Sequence, residues 1–69
     1  LFWRASAREN VRLFGVLYGL RGDALDDAVD DVLDTVGLGD AGEQLVASFS
    51  SGMRQRVLLA RALVTRAPL

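Results

Sequence analysis

The sequence contains no cysteine, no histidine and no lysine among its 69 residues. Without cysteine there is no disulfide framework and no thiolate ligand, and without histidine the commonest metal ligand and the usual general base are missing. Zinc sites and nucleophile pairs that depend on these residues are therefore excluded. Without lysine the chain cannot carry the glycine-rich loop in which a lysine holds the β and γ phosphates of a nucleotide. Any nucleotide chemistry in this chain is therefore partial.

Proline and long apolar runs are also scarce. There is a single proline, and no apolar run approaches the roughly 18 residues that a bilayer crossing needs. Hydrophobic residues make up 51% and charged residues 25% of the chain, which excludes a disordered tail and favours packed helices. A chain this short buries only about 60% of its unfolded surface, so we expect one small domain of marginal stability. The bare apolar start at Leu1 suggests truncation of a longer protein.

Charge is unevenly distributed along the chain, although the net charge is only −1. The range 23–43 contains eight acidic residues and no basic one, whereas the range 48–69 contains four arginines and no acidic one. We expect the two halves to attract each other. Nucleic-acid binding is not expected, because the acidic middle would repel a phosphate backbone.

Hydrophobic periodicity predicts three helices separated by glycine-bearing loops. The first helix is expected to begin at Ser6, because Ser6 and Glu9 have the spacing of a capping box, and to stop at Gly22. Tyr18 is interpreted as a packing residue. The apolar face of this helix is expected to combine Val11, Phe14, Leu17 and Tyr18, with Leu13 and Leu20 beside them.

The second helix is expected to take Asp23 as its N-cap and to end near Gly37, with Leu38 folded back onto the last turn. Its aspartates form a solvated face without the loop geometry of a calcium site, so no metal site is predicted. The apolar positions recur at three- and four-residue steps: Leu25, Ala28, Val29, Val32, Leu33 and Val36.

After a loop from about residue 39 to 49, the third helix is expected to run from Ser50 or Ser51 to about Val64. Small polar residues and a glycine open it. Its first N–H groups lack internal partners, and its dipole places about half a positive charge at that end. Such an end binds phosphate oxygens, but chemistry alone leaves open that Ser50 is only the N-cap of a core helix. The apolar stripe contains Met53, Val57, Ala60 and Val64, with Leu59 and Leu63 on a neighbouring one.

Residues 49–63 read Phe-Ser-Ser-Gly-Met-Arg-Gln-Arg-Val-Leu-Leu-Ala-Arg-Ala-Leu. This stretch resembles the signature motif of ABC ATPases, usually written L-S-G-G-Q, together with the helix that follows it. The serine at the first glycine position is tolerated only where the backbone is helical or extended, and the methionine cannot donate the amide hydrogen bond of glutamine. The five motif positions fall, in order, on Phe49, Ser50, Ser51, Gly52 and Met53.

The rest of the chain resembles the same family. Residues 6–11, Ser-Ala-Arg-Glu-Asn-Val, are similar to the T-V-x-E-N-L start of its helical subdomain. Residues 17–20, Leu-Tyr-Gly-Leu, and residues 52–56, Gly-Met-Arg-Gln-Arg, look like the branch that serves bacterial exporters of drugs, lipids or polysaccharides. The resemblance implies an all-α fragment, the helical subdomain, of about three helices, in a parent P-loop NTPase α/β domain. The signature motif then lies at 49–56, and the Walker motifs lie outside 1–69.

The resemblance implies part of the ATP-binding and ATP-hydrolysing subunit of an ABC transporter, coupled to export at the cytoplasmic face of the cell membrane. One subunit's signature helix closes over ATP that a second ATP-binding subunit holds. ATP and Mg²⁺ are the expected cofactors, with the Mg²⁺ ligands and the catalytic residues outside this chain, so the 69 residues alone are not expected to be active. The expected ATP-binding residues, acting in trans, are Ser50, Ser51, Gly52 and Met53.

A transmembrane permease subunit is the other partner that the resemblance implies. Phe2 and Trp3 are interpreted either as local core, which composition favours, or as the interface with that permease, which the resemblance favours. Two alternatives for the function stay open. One is an ABC ATPase without a transport role, acting in DNA repair or translation, and the other is a non-enzymatic helical interaction module.

Overall fold

The structure is a computed structural model that describes residues 1–65. Three α-helices follow one another: α1 at Ala7–Leu17, α2 at Gly22–Thr35 and α3 at Ser51–Val64, with a 3₁₀ turn at Val46–Ser48 before α3. No strand forms within the described range, so the expected all-α fragment of three helices is confirmed. No helix among these residues combines the length and apolarity that a membrane crossing requires.

The capping box at the start of α1 forms as the sequence predicts. The Ser6 hydroxyl accepts the N–H of Glu9 at 3.0 Å, and the Glu9 carboxylate accepts the N–H of Ser6 at 2.9 Å. Two N–H groups that would otherwise lack partners at the helix end are thereby satisfied.

Helices α1 and α2 end in the same backbone arrangement. Gly19 and Gly37 take left-handed backbone, with φ of 94° and 78°. The N–H groups of Leu20 and Leu38 then donate to carbonyls five residues earlier, at 2.9 and 2.8 Å. This is the Schellman motif, in which the residue after the glycine folds back onto the last turn. Both leucines are buried, and the predicted end of α2 is confirmed.

The predicted stop of α1 at Gly22 is wrong. Gly19 comes first along the chain and already supplies the left-handed residue, so α1 ends at Leu17 and Gly22 becomes the first residue of α2. The predicted N-cap is also wrong, because Arg21 occupies that position without a side-chain capping bond. Asp23 instead lies in the first turn, where the positive end of the helix favours its carboxylate.

The core lies where the three helices meet, and the segment between α2 and α3 adds side chains to it. Fully burying one aliphatic side chain stabilises a fold by about 1.5–3 kcal/mol, so this cluster is the main source of stability. The predicted stripe of α2 and the main stripe of α3 are confirmed, whereas Leu59, on the neighbouring stripe of α3, is 52% exposed. The buried members are Leu25, Val29, Val32, Leu33, Val36, Val57, Ala60 and Val64, with Ala28 and Met53 packed against them and Leu38, Val46 and Phe49 contributed by the loops.

The predicted apolar face of α1 is only partly correct. Val11 and Leu20 are buried and Phe14 packs against the core, but Leu17 is 67% exposed and Tyr18 is 59% exposed. The chain turns away at the end of α1, which leaves these two side chains uncovered within the described residues. The interpretation of Tyr18 as a packing residue is therefore wrong.

Two acidic residues of α2 pair with arginines of α1, and within residues 1–65 no arginine of α3 forms an ion pair, so the expected attraction between the acidic range and these arginines does not take that form. Arg8 binds Asp30 at 2.5 Å and Glu43 at 2.9 Å, and Arg12 binds Asp26. The hydrogen bond to Asp30 raises the pKa of the Arg8 guanidinium above its ordinary value, against the opposing effect of desolvation. These pairs are largely open to solvent, where ion pairs contribute little to stability. They join α1 to α2 and to the loop after it, but they contribute little to the free energy of unfolding.

The segment before α1 lies antiparallel to the loop before α3, with Ser6 and Leu45 as a bridge pair. We refer to residues 3–8 and 42–47 as the paired segments. This pairing sets the start of α1 beside the approach to α3. Main-chain hydrogen bonds of 2.8–3.2 Å join the two, from the N–H groups of Ala7, Arg8, Val46 and Ala47 to the carbonyls of Gln44, Gly42, Ala5 and Trp3, respectively.

Asn10 fixes the main chain of the first residues. Its side chain is almost completely buried, with 2% exposed. The amide oxygen accepts the N–H of Phe2 at 2.8 Å, and the amide nitrogen donates to the carbonyls of Phe2 at 3.0 Å and Ser6 at 2.9 Å. Asn10 therefore holds the main chain of Phe2 in place from within α1.

We expect Asn10→Ala to lower the free energy of unfolding by about 1–3 kcal/mol, because it leaves the main-chain groups of Phe2 without their partners. The exposed Asp27→Ala is the control and should change it by less than about 0.5 kcal/mol. Urea unfolding followed by circular dichroism measures both variants. Equal unfolding midpoints for the two variants would contradict the role assigned to Asn10.

Candidate functional site

The start of α3 has a side-chain cap, but two of its N–H groups have no hydrogen-bond partner within residues 1–65. Ser50 is the N-cap, with extended backbone, and its hydroxyl oxygen accepts the N–H of Met53 at 3.2 Å. The N–H of Arg54 makes the first helical bond, to the Ser50 carbonyl at 3.0 Å. Within residues 1–65, the N–H groups of Ser51 and Gly52 donate to no other group. Two main-chain donors therefore remain available at this helix end.

The electrostatics of this end favour an anion. The first turn of α3 contains no acidic residue, so the partial positive charge of the helix dipole is not neutralised from within the helix. Ser50, Ser51 and Gly52 are all exposed. The Ser50 hydroxyl uses its oxygen for the cap and keeps its hydrogen free to donate. The donor set fits a phosphate oxygen, which binds at helix ends of this kind.

Gly52 is not required by the fold of the chain itself. A Cβ added there would meet only the Ser50 hydroxyl oxygen, at 4.0 Å, and the backbone of Gly52 is not left-handed. At Gly15, by contrast, a Cβ would come within 2.6 Å of Leu25, so close packing of α1 on α2 explains that glycine. The bare backbone at Gly52 therefore leaves room for a group from outside the chain.

The neighbours of Gly52 differ in where they face. Ser51 is the first residue of α3 and has no left-handed backbone, so the condition for a serine at this position is met. Met53 is partly buried against the core, and its N–H is already bonded to the Ser50 cap. Phe49 is buried just before the cap and anchors the start of the helix. The four predicted ATP-binding residues are thus contiguous, with Met53 turned inward.

A second exposed region surrounds the first residues. Phe2 and Trp3 are 59% and 49% exposed, so their interpretation as local core is wrong. They border an open groove of about 730 Å³. A smaller depression continues it along α1 as far as Val16. We refer to the groove of about 730 Å³ as the N-terminal groove. It is lined by Leu1, Phe2, Trp3, Arg4, Ala5, Glu9 and Leu13.

Two arginine–aromatic stacks join α3 to the chain around α1, and no pattern in the sequence predicts them. The guanidinium of Arg54 lies over the Trp3 ring, 4.7 Å from its centre, and that of Arg61 lies over the Phe14 ring at 3.7 Å. The Nε atoms of both arginines are buried and bond to nothing within the described residues. A pattern of nearby residues cannot predict these contacts, because the two partners of each stack are far apart in the sequence.

The arrangement supplies hydrogen-bond donors rather than acid–base or metal chemistry. Within residues 1–65, no three acidic, cysteine or histidine side chains come together as a metal site would require. The open end of α3 can bind an anion and stabilise negative charge on it, which is the action of preorganised donors.

Comparison with known proteins gives one family and several relatives. The family described as ABC transporter matches residues 1–69. The ABC transporter ATP-binding protein NatA of Bacillus subtilis (strain 168) is 41% identical over 64 residues, which are 93% of this chain and 26% of NatA. The aliphatic sulfonates import ATP-binding protein SsuB of Yersinia pestis is 53% identical over 48 residues, which are 70% of this chain and 17% of SsuB.

An export protein is among the relatives as well. The macrolide export ATP-binding/permease protein MacB 1 of Aeromonas hydrophila is 41% identical over 59 residues, which are 86% of this chain and 9% of that protein. The chain therefore spans about a quarter or less of the length of these relatives. No solved structure gives a significant match.

Proposed function

Since the chain belongs to the ABC transporter family, we propose that it is the part of an ATP-binding subunit that supplies the signature motif. In this proposal the subunit hydrolyses ATP and pairs with a second ATP-binding subunit. The start of α3 then closes over the ATP that the second subunit holds. The motif occupies residues 49–56, and its contact residues are Ser50, Ser51, Gly52 and Met53.

The observation that carries the proposal is the open start of α3. The N–H groups of Ser51 and Gly52 and the hydroxyl of Ser50 form a set of donors with no acidic residue in the same turn. The absence of a side chain at Gly52 leaves the main chain accessible. This arrangement suits the terminal phosphate of a nucleotide presented by another subunit, because that group is compact and highly charged.

The chemical part assigned to these residues is electrostatic. ATP brings the phosphoanhydride that is cleaved, and the donors at the start of α3 orient its terminal phosphate and stabilise negative charge there. Mg²⁺ and the group that activates water belong, in this proposal, to parts of the subunit outside this chain. Met53 contributes through the Ser50 cap, because its N–H fixes the Ser50 oxygen and leaves the hydroxyl hydrogen to the phosphate.

The N-terminal groove is proposed as the contact with a transmembrane permease subunit. Phe2 and Trp3 present large apolar surface beside Arg4, and aromatic and arginine side chains are typical anchors of protein interfaces. Asn10 holds the main chain of Phe2, so these side chains are displayed from a fixed base. Through this contact the subunit would lie at the cytoplasmic face of the cell membrane.

Export is the direction of transport that we propose. Its support is the likeness of residues 17–20 and 52–56 to the exporter branch, whereas the names of the relatives include both import and export proteins. Inside-out vesicles that contain the complete transporter test the direction. ATP-driven accumulation of cargo in such vesicles is expected, and ATP-driven loss of cargo from them would contradict export.

We expect Gly52→Asp in the complete subunit to abolish ATP hydrolysis. The carboxylate would occupy the open end of α3 and repel the phosphate, while the fold tolerates a side chain there. ATP affinity of the single subunit should barely change, because the start of α3 contacts the ATP held by the partner subunit and not the ATP held by its own. ATP turnover and binding of a fluorescent ATP analogue measure the two effects.

The control for this variant is Ala62→Asp, which adds the same carboxylate at an exposed position of α3 outside residues 49–56. It should keep most of the turnover. Wild-type turnover in Gly52→Asp would reject the signature assignment. A large loss of ATP binding by the single subunit would show that misfolding, and not a defect of closure, explains the result.

We expect Trp3→Ala to weaken the association with the permease by tenfold or more, since truncating an aromatic anchor typically costs about 2 kcal/mol. Leu17→Ala is the control, because Leu17 is an apolar residue at the other end of α1 that is even more exposed than Trp3, at 67% against 49%. Co-purification of the tagged subunit with its permease gives the measurement. Undiminished co-purification and transport in Trp3→Ala would remove Trp3 from the interface.

A further inference from the structure

Trp3 contacts the chain on both sides of the signature residues. Its carbonyl accepts the N–H of Ala47 at 2.9 Å, three residues before Ser50. Its ring lies under the guanidinium of Arg54, which directly follows Met53. Trp3, a residue of the N-terminal groove, therefore contacts Ala47 before the open start of α3 and Arg54 after it.

We propose that Trp3 and Arg54 form a positioning pair that transmits permease binding to the start of α3. The inference rests on the proposed function, because it assigns the permease to the N-terminal groove and ATP to the helix end. It goes further in naming the side chains that connect the two. Arg54 contacts neither partner in this account and acts only through the orientation of α3.

The exposure of the pair fits this role. Trp3 is 49% exposed, so one part of the ring faces the groove while another part is covered by Arg54. The Nε of Arg54 is buried and has no hydrogen-bond partner within residues 1–65, and no carboxylate in that range pairs with its guanidinium. The ring is therefore the contact that holds the head of this side chain, by a cation–π interaction.

Arg54 also controls the first turn of α3 through its main chain. Its N–H makes the first bond of the helix, to the carbonyl of the Ser50 cap at 3.0 Å. A change in the position of Arg54 therefore acts on the turn that carries the donors of Ser51 and Gly52. Misplacing such groups by about 1 Å can lower a rate by roughly 100-fold, so small displacements are sufficient.

The base of the pair is held by main-chain hydrogen bonds on both sides, which suits it to transmission. The paired segments hold Trp3 by its main chain, and Asn10 holds the preceding residue, Phe2. A partner that binds the Trp3 ring therefore contacts a side chain whose main chain is held by hydrogen bonds. The remaining freedom lies in the ring and in the guanidinium stacked on it.

The chain offers a matched control in its other stack. Arg61 lies over the ring of Phe14 at 3.7 Å, and its Nε is likewise buried without a partner among the described residues. Phe14 does not line the N-terminal groove, and Arg61 lies in the last turn of α3, far from the open end. This stack joins α1 to α3 without linking the two proposed binding surfaces.

The test compares Arg54→Met with Arg61→Met in the complete subunit, alone and bound to its permease in nanodiscs. ATP turnover, KM for ATP and permease binding are measured. We expect Arg54→Met to reduce the stimulation of turnover by the permease roughly 3- to 10-fold, as loss of a cation–π contact implies. KM for ATP and permease binding should stay within about twofold. Arg61→Met should keep the stimulation, and Arg54→Lys should recover part of it.

A double substitution separates coupling from independent effects. Trp3→Leu keeps an apolar side chain in the groove but removes the ring under Arg54. If the two residues act as a pair, Trp3→Leu combined with Arg54→Met should, at saturating permease, lower the stimulation no further than Arg54→Met alone. If the double variant instead loses stimulation by the product of the two single-variant factors, the proposal is overturned. Full stimulation in Arg54→Met, or an equal loss of stimulation in Arg61→Met, would also overturn it.

Gly52→Asp, measured in parallel, distinguishes failure of this inference from failure of the proposed function. If Gly52→Asp abolishes turnover while Arg54→Met keeps full stimulation, the pair has no positioning role and the signature assignment stands. If Gly52→Asp keeps wild-type turnover, the signature assignment falls, and the positioning role falls with it.

Discussion

Main-chain hydrogen bonds between residues 3–8 and 42–47 hold the start of α1 against the approach to α3, and both candidate surfaces depend on that pairing. With it, Trp3 lies beside the segment that leads into Ser50. Asn10 extends the same constraint to Phe2 by replacing the partners that a longer strand would supply.

The start of α3 gains its properties from what surrounds it. Phe49 is buried and fixes the cap, while Ser50 to Gly52 remain exposed. Because the turn contains no acidic residue and no side chain at Gly52, the helix end keeps its donors and its positive character. A glycine without a packing reason, at a helix end suited to phosphate, is the observation on which we base the proposed signature motif.

Sequence alone could predict the features that short-range signals encode. The capping box at Ser6, the glycine that ends α2 at Gly37, the apolar stripes of α2 and α3 and the Ser50 cap all follow from spacings of a few residues. The end of α1 could not be predicted correctly because both Gly19 and Gly22 take left-handed backbone, and the helix ends at the one that comes first along the chain.

Features that depend on distant parts of the chain could not be predicted in the same way. The paired segments are joined by main-chain groups, which leave no side-chain pattern to recognise. The stack of Arg54 on Trp3 depends on that pairing and is equally invisible in the sequence. Periodicity marked Leu17 as apolar, but an apolar position becomes core only where another element covers it, and none of the described residues does.

The central claim, that the start of α3 contacts ATP held by another subunit, can be measured directly in a mixed dimer of complete subunits. One subunit is intact, and the other is tagged and carries a defective phosphate loop. A photoreactive group on the terminal phosphate of ATP then marks the segment nearest to it, and mass spectrometry locates the label. The account predicts label on residues 50–53 of the tagged, defective subunit. Label on the same segment of the intact subunit would contradict it.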